Sequence, residues 1–325
     1  MKNKFPRPRV VVSKCLEFEP CRWNGLMISS GVVKLLKPFV DFIPVCPEME
    51  IGLGVPRQPV RIVRQGDELR LIQSETNRDL TERMRRFTDS FLAGLGRIDG
   101  FILKERSPSC GMKNVKVYPR MGKVGAIGSK NPGFFGGAVL KKYPGWPVED
   151  EGRLNNFTIR EHFLTALFAL GRLREVERSG RMKNLVQFQA DHKFLLMAYS
   201  QKELKTLGNL VANREGKKVS EILEEYGRVF RKALERPPKP GAVINVLMHA
   251  LGHFKKGIAS REKSFFLQSL DRYRQRRVPL GVPVAIIRSW IARFGEPYLE
   301  CQAFFSPYPE ELIEVTDSGK GREIR

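Results

Sequence analysis

PRVVVSKC, residues 8–15, sets three consecutive valines against an abrupt Ser-Lys-Cys and reads as a short buried strand running straight into Cys15. The pattern recurs twice. DFIPVCPE (41–48) is a second short strand ending at Cys46, and DGFILKERSPSC (99–110) supplies the strand FIL ahead of Cys110. Between them, SSGVVKLLKPFV (29–40) and TERMRRFTDSFLAGLGRI (81–98) space their apolar residues as helices do. Strands that alternate with helices predict an α/β domain, a parallel sheet in Rossmann-like layers. In such sheets ligands bind beyond the carboxyl ends of the strands. Three cysteines at three such ends can therefore meet, although long stretches of chain separate them.

Outward from this core, residues 119–156 are rich in Gly, Pro and Lys, and their glycine clusters suggest loops covering a site. From Thr158 the texture becomes helical, through TIREHFLTALFALGRLREVERSG and five or more further amphipathic segments, with ERPPKPG (235–241) as a break. We therefore expect an α/β domain over 1–150 followed by an all-α domain over 151–325. No internal repeat is evident.

The 325 residues are 42% hydrophobic and 28% charged, an ordinary globular composition. No apolar run approaches the ~20 residues of a membrane span. The opening MKNKFPRPRVVVSKC has only Val10–Val12 as an apolar stretch, short of the about 7–15 residues of a secretory h-region. The expected location is cytoplasmic, with no membrane and no obligate protein partner. Charge is the unusual quantity: the net is +22, and each half holds +11, from 26 basic against 15 acidic residues in 1–150 and 31 against 20 in 151–325. Such a field attracts polyanions, nucleic acid first among them.

Five cysteines, at 15, 21, 46, 110 and 301, are an odd number with four in the first 110 residues. That argues against a disulfide framework and for metal or catalytic use. None forms the C-x-x-C of a zinc ribbon or the C-x-x-C-x-x-C of a ferredoxin. By spacing alone, Cys15 and Cys46 read equally as small buried hydrophobes or as ligands. Cys110, set among Ser107, Pro108, Ser109 and Gly111, has loop surroundings. Glu48 is a general acid–base or only a solvated loop or capping carboxylate.

The strings SKCLEFEPCRWNG (13–25), CPEMEIGLGVPR (46–57) and KERSPSCG (104–111) resemble, in this order, the thiouracil desulfidase family, TudS. That resemblance implies a 4Fe-4S cluster held by Cys15, Cys46 and Cys110, with a fourth iron not bound by protein. It implies a catalytic carboxylate after the second cysteine, Glu48, and a catalytic serine three before the third, Ser107. Asn24 and Arg57 lie in matching strings and are expected at the substrate. Lys104 is a candidate to orient it, and Ser109 is the competing hydroxyl. Cys21 has no ligand role in single-domain members of the family and is the runner-up; Cys301 reads as packing.

QFQADHKFLLMAYSQKELKTLGNLVAN (187–213), LMHALGHFKKGIASREKSFFLQSL (247–270) and residues 277–312 extend the resemblance to the two-domain RudS type. It implies removal of sulfur from 4-thiouridine in tRNA. His192, Lys193, Lys255, Lys256, Arg274 and Arg276 are then candidate RNA contacts. Trp23, Phe134 or Phe135 are candidates to stack on the base. His249 and His253 stand four apart but lack the Glu of H-E-x-x-H, so packing or RNA contact outweighs metal there. No P-loop and no C-x-x-x-C-x-x-C are present. The alternatives are a desulfidase of free thiouracil or thionucleosides, and a non-catalytic RNA-binding protein with structural zinc.

Overall fold

A computed structural model of the chain describes residues 5–313. They divide into two compact units, one running to Gly171 and joined by the residues from Glu311, the other Arg172–Glu310.

The first unit contains, in order, β1 (Arg9–Ser13), α1 (Gly31–Leu36), β2 (Asp41–Val45), α2 (Pro47–Glu50), β3 (Val60–Gln65), β4 (Glu68–Gln73) and α3 (Thr81–Gly94). Then follow β5 (Gly100–Leu103), β6 (Val115–Tyr118), β7 (Gly128–Asn131), α4 (Phe134–Lys142), β8 (Val148–Asp150) and α5 (Phe157–Ser179). The expected parallel sheet is present, in the order β2-β1-β5-β8. Every neighbouring pair in it is parallel, with Ser13 opposite Val45, Val12 opposite Ile102 and Leu103 opposite Asp150. All four carboxyl ends therefore emerge at one edge.

Helices cover both faces, which is why β1 and β5 are nearly continuous apolar runs. On one face Val11, Phe101 and Leu103 pack with Leu92 of α3 and with Phe135 and Val139 of α4. Burying each such side chain is worth about 1.5–3 kcal/mol. Met84, Thr88 and Leu92 form the buried stripe of α3, four residues apart as a helix requires. Gly100 takes the other face: a Cβ there would meet Leu167 of α5 at 3.0 Å. The first part of α5 thus belongs to the α/β unit, and the division of the chain falls inside that helix, beyond the expected break at 150.

A second sheet, β4-β3-β6-β7, goes beyond the sequence expectation. β3 and β4 form an antiparallel hairpin turning at Gly66, where φ is +59°. The stretch 119–156, expected to form covering loops, supplies β7, α4 and β8. Its glycines allow close packing: a Cβ on Gly133 would meet the carbonyl oxygens of Ser109, Pro108 and Ser107 at 2.6–2.7 Å.

The second unit is all-α, as expected: the end of α5, then α6 (Met182–Asp191), α7 (Lys193–Tyr199), α8 (Gln201–Ala212), α9 (Val219–Ala233), α10 (Pro240–Gly252), α11 (Ser260–Arg274), α12 (Gly281–Phe294) and α13 (Pro297–Glu300). Pro240 opens α10 at its first position, where no backbone N–H is required. No helix of the described residues is long and apolar enough to cross a membrane.

Candidate metal centre

The loops beyond β1, β2 and β5 enclose a cavity of about 360 Å³ whose walls carry Cys15, Cys21, Cys46 and Cys110. Each thiol arrives by a separate local device. After β1 the chain stays paired for one more residue, Lys14 N–H donating to Val45 O at 2.8 Å, before it turns at Cys15. Cys46 follows β2 directly and caps α2 with extended backbone, Pro47 taking the first helical position. Cys110 closes a tight loop in which the Ser107 hydroxyl accepts the N–H groups of Ser109 and Cys110 at 3.2 and 3.0 Å. Three N–H groups at the start of α4 clamp that loop from behind: Phe134 on Pro108 O, and Phe135 and Gly136 on Ser109 O. The Ser13 hydroxyl, accepting from Lys104 N–H at 2.9 Å, ties the ends of β1 and β5 together.

Beside the thiols lies a buried polar chain. Arg57 grips the Glu48 carboxylate with Nε at 2.8 Å and Nη2 at 2.7 Å, the two side chains being 3% and 12% exposed. The Ser109 hydroxyl donates to the other oxygen of Glu48 at 2.9 Å. Arg57 Nη1 reaches the carbonyls of Cys21 and Gly54, each at 3.0 Å, and Nη2 lies 4.0 Å from Cys46 Sγ. One guanidinium therefore holds the carboxylate and two of the cysteine segments.

The site residues expected from sequence distribute unevenly. Cys15, Cys46, Cys110, Glu48, Arg57, Lys104 and Ser107 all line the cavity. Ser109, fully buried, is the hydroxyl on Glu48, whereas the Ser107 oxygen braces the loop. Asn24 caps a turn, its Oδ1 accepting from Leu26 N–H at 3.3 Å. Among the candidate stacking rings, Trp23 is exposed on the cavity wall, while Phe135 is fully buried in the core. Lys104 pairs with Glu151, which directly follows β8 and also accepts Glu105 N–H at 2.9 Å. Sequence reasoning misses Glu151 because β8 lies in the glycine-rich stretch. The signal that finds it is its place after a fourth strand.

In the second unit, Lys193, Lys255, Lys256, Arg274 and Arg276 are exposed. His192 is 2% exposed, stacked on Phe188 with ring centroids 3.9 Å apart, and Nδ1 meets Phe188 O at 2.8 Å. Burial pushes it down to about 3, so it is a neutral core residue and takes no part in phosphate contact. His253 stacks on Tyr298 and pairs with Glu296 at 3.4 Å.

The thiols suit a metal cluster by their chemistry. A hydrogen bond with Cys15, with burial adding, pushes the Cys21 thiol up to about 11. The Cys46 thiol is pushed up by its hydrogen bond with Cys21 and by burial, and Cys110 by burial and then by neighbouring Cys46. These thiols stay protonated in the protein alone; coordination to a cationic centre deprotonates them outright. Among the described residues no three His, Cys, Asp or Glu side chains close on one point as a single ion demands.

Comparison with known proteins finds two domain families. Residues 10–151 match the family described as 2-thiouracil desulfurase, and residues 193–309 match one described as a protein of unknown function, DUF1722. YbbK of Bacillus subtilis (strain 168), described as uncharacterised, is 31% identical over 154 residues, 45% of this chain and 98% of that protein. YbgA of Escherichia coli (strain K12), also described as uncharacterised, is 28% identical over 158 residues, 48% of this chain and 93% of that protein. A solved structure, that of the 4Fe-4S-dependent thiouracil desulfidase TudS, is 28% identical, covering 46% of this chain and 93% of its own, with a TM-score of 0.36.

Proposed function

The chain belongs, through residues 10–151, to the 2-thiouracil desulfurase family, and from that premise we propose that it is a desulfidase acting on a thiolated uracil, with thiolated tRNA as the substrate. The observation that carries the reading is a single cavity that unites cysteine thiols with a clamped carboxylate. Cys15, Cys46 and Cys110 are the residues that would hold a 4Fe-4S cluster, their soft thiolates being suited to it. When bound, such a cluster supplies a Lewis-acidic iron with affinity for a thiocarbonyl sulfur.

The reaction exchanges sulfur for oxygen at one carbon: thiocarbonyl and water give carbonyl and hydrogen sulfide, with no change of oxidation state. The protein must move protons for that exchange. Glu48 takes a proton from the attacking water and returns one to the departing sulfide. Arg57 and Ser109 fix the carboxylate in place, since three hydrogen bonds leave it little rotational freedom. Lys104, at the cavity wall and held by Glu151, faces the ring oxygen or a phosphate. Trp23 offers its exposed ring to the base.

The RNA part of the proposal rests on charge and on the second unit. A free base needs no strongly basic helical module, whereas a base carried in a polynucleotide gives it a partner. Lys193, Lys255, Lys256, Arg274 and Arg276 are the proposed phosphate contacts. The second reading, a desulfidase of free thiouracil, is favoured by the family description itself.

The test is anaerobic purification and reconstitution, followed by incubation with thiolated tRNA and separately with free 2-thiouracil. Iron and zinc are measured on the protein, and nucleosides and sulfide on the products. Iron, uridine in tRNA and sulfide support the proposal; turnover of the free base alone moves it to the second reading. Zinc without iron overturns the cluster, and neither product overturns the enzyme. Glu48→Ala is expected to retain the iron and lose turnover.

A further inference from the structure

Four thiols share the cavity, one more than the three-ligand reading uses. Resting on that reading, we propose that Cys21 is a reversible fourth ligand: it caps the remaining iron in the resting protein and gives way to the sulfur of the substrate.

Its position argues against simple packing. Cys21 lines the same cavity as Cys15, Cys46 and Cys110, and the Cys46 thiol lies 3.8 Å from the Cys21 carbonyl, so it stands among the proposed ligands. The residue is 2% exposed, yet it lines the cavity. Its backbone is anchored independently of any metal: Cys21 N–H donates to Glu19 O at 2.8 Å, and its carbonyl takes Arg57 Nη1 at 3.0 Å and faces Cys46 Sγ at 3.8 Å. Only the side chain is left to choose a direction.

Its loop also differs from the others. Cys15 and Cys46 sit at strand ends, and Cys110 is locked in the Ser107 turn under α4. Cys21 lies well along the loop between β1 and α1, next to Arg22 and the exposed Trp23 on the cavity wall. A ligand there can withdraw with a side-chain rotation, leaving the strand-end thiolates in place. The exchange balances without a redox partner. Cys21 gives up its thiol proton on binding iron and regains one when a thiocarbonyl sulfur, another soft donor, takes its place. A capped iron is also screened from adventitious soft ligands.

The experiment uses the full chain, reconstituted anaerobically with iron and sulfide, as wild type, Cys21→Ala, Cys21→Ser and Cys15→Ala. Ferricyanide is added, and iron content is followed together with the EPR signal of a three-iron cluster. Both Cys21 variants are expected to take up as much iron as wild type, then to release one iron about tenfold faster, the margin that follows from a cap on about nine-tenths of the time. Cys15→Ala is expected to take up little iron. A spectroscopic titration with 2-thiouracil completes the test. If the cap is on about nine-tenths of the time, its removal tightens apparent binding about tenfold. Equal rates of iron release and equal Kd in wild type and both variants overturn the proposal. So does failure of both folded variants to take up iron, which makes Cys21 a permanent ligand. A wild-type chain that takes up no iron overturns the cluster reading and this inference with it.

Discussion

Arg57→Leu removes the connector of the site while keeping an apolar stem of similar bulk. The arginine makes two hydrogen bonds to Glu48, at 2.8 and 2.7 Å, and two to the carbonyls of Cys21 and Gly54, both at 3.0 Å. In the variant, Glu48 keeps only the Ser109 hydroxyl as a donor. Breaking a buried ion pair on one side typically costs about 3–5 kcal/mol, because the surviving charge has no compensation. Two carbonyls deprived of their donors add to this, each by about 1 kcal/mol where water cannot replace the donor. We therefore expect the α/β unit to be destabilised by about 5–7 kcal/mol. Adding Glu48→Gln neutralises the stranded carboxylate and should restore about half of that, a coupling within the range for contacting residues. The assay is urea-dependent hydrogen exchange on the full chain, read in peptides from β1 and β2, so that the helical unit does not enter the result. A destabilisation below about 1 kcal/mol, or no rescue by glutamine, would refute the argument that this pair is desolvated and holds the loops.

Three further outcomes are expected. Gly133→Ala puts a Cβ at 2.6–2.7 Å from three carbonyl oxygens of the Cys110 loop; overpacking of this kind costs ~1–3 kcal/mol and should lower iron uptake, which iron analysis and exchange in the β5 peptides will show. His192 is held neutral, at about 3 against an ordinary 6.5, so its contribution to the helical unit is complete above 6.5 and is lost as pH falls from 6.5 toward 3. The limiting slope is about 1.4 kcal/mol per pH unit, and exchange in α6 and α7 peptides of His192→Leu should be flatter across that window; an unchanged acid limb would sink the assignment. Replacing Lys255 and Lys256, or Arg274 and Arg276, by glutamine should weaken tRNA binding and reduce the salt slope by about one for each phosphate no longer neutralised. His192→Leu should leave that slope alone; a slope unchanged in the basic variants would remove them from the interface.

What the sequence determined by itself is local. Runs such as VVV at 10–12 and FIL at 101–103, each ending in a loop with a cysteine, specify buried strands, because period and turn composition act over a few residues. The helical texture after Thr158 is legible for the same reason. By spacing alone Cys15 and Cys46 read equally as buried hydrophobes, and Glu48 as a capping carboxylate; it was the resemblance of their loops to a known family that made them, with Cys110, site candidates. The rest depends on interactions across long stretches of chain. Ser109 meets Glu48 across 61 positions and Arg57 meets Cys21 across 36, and neighbouring residues carry no trace of either meeting. The pairing of β3 with β6, which makes the second sheet, is likewise a parallel pairing between distant strands. The place of α5 was hidden too: periodicity says that a helix has an apolar face, while only the tertiary structure says what that face covers. Cys21 shows the difference most directly. In sequence it stands six residues beyond Cys15 with no partner implied by spacing, and only the folding of its loop sets it on one cavity wall with Cys15, Cys46 and Cys110.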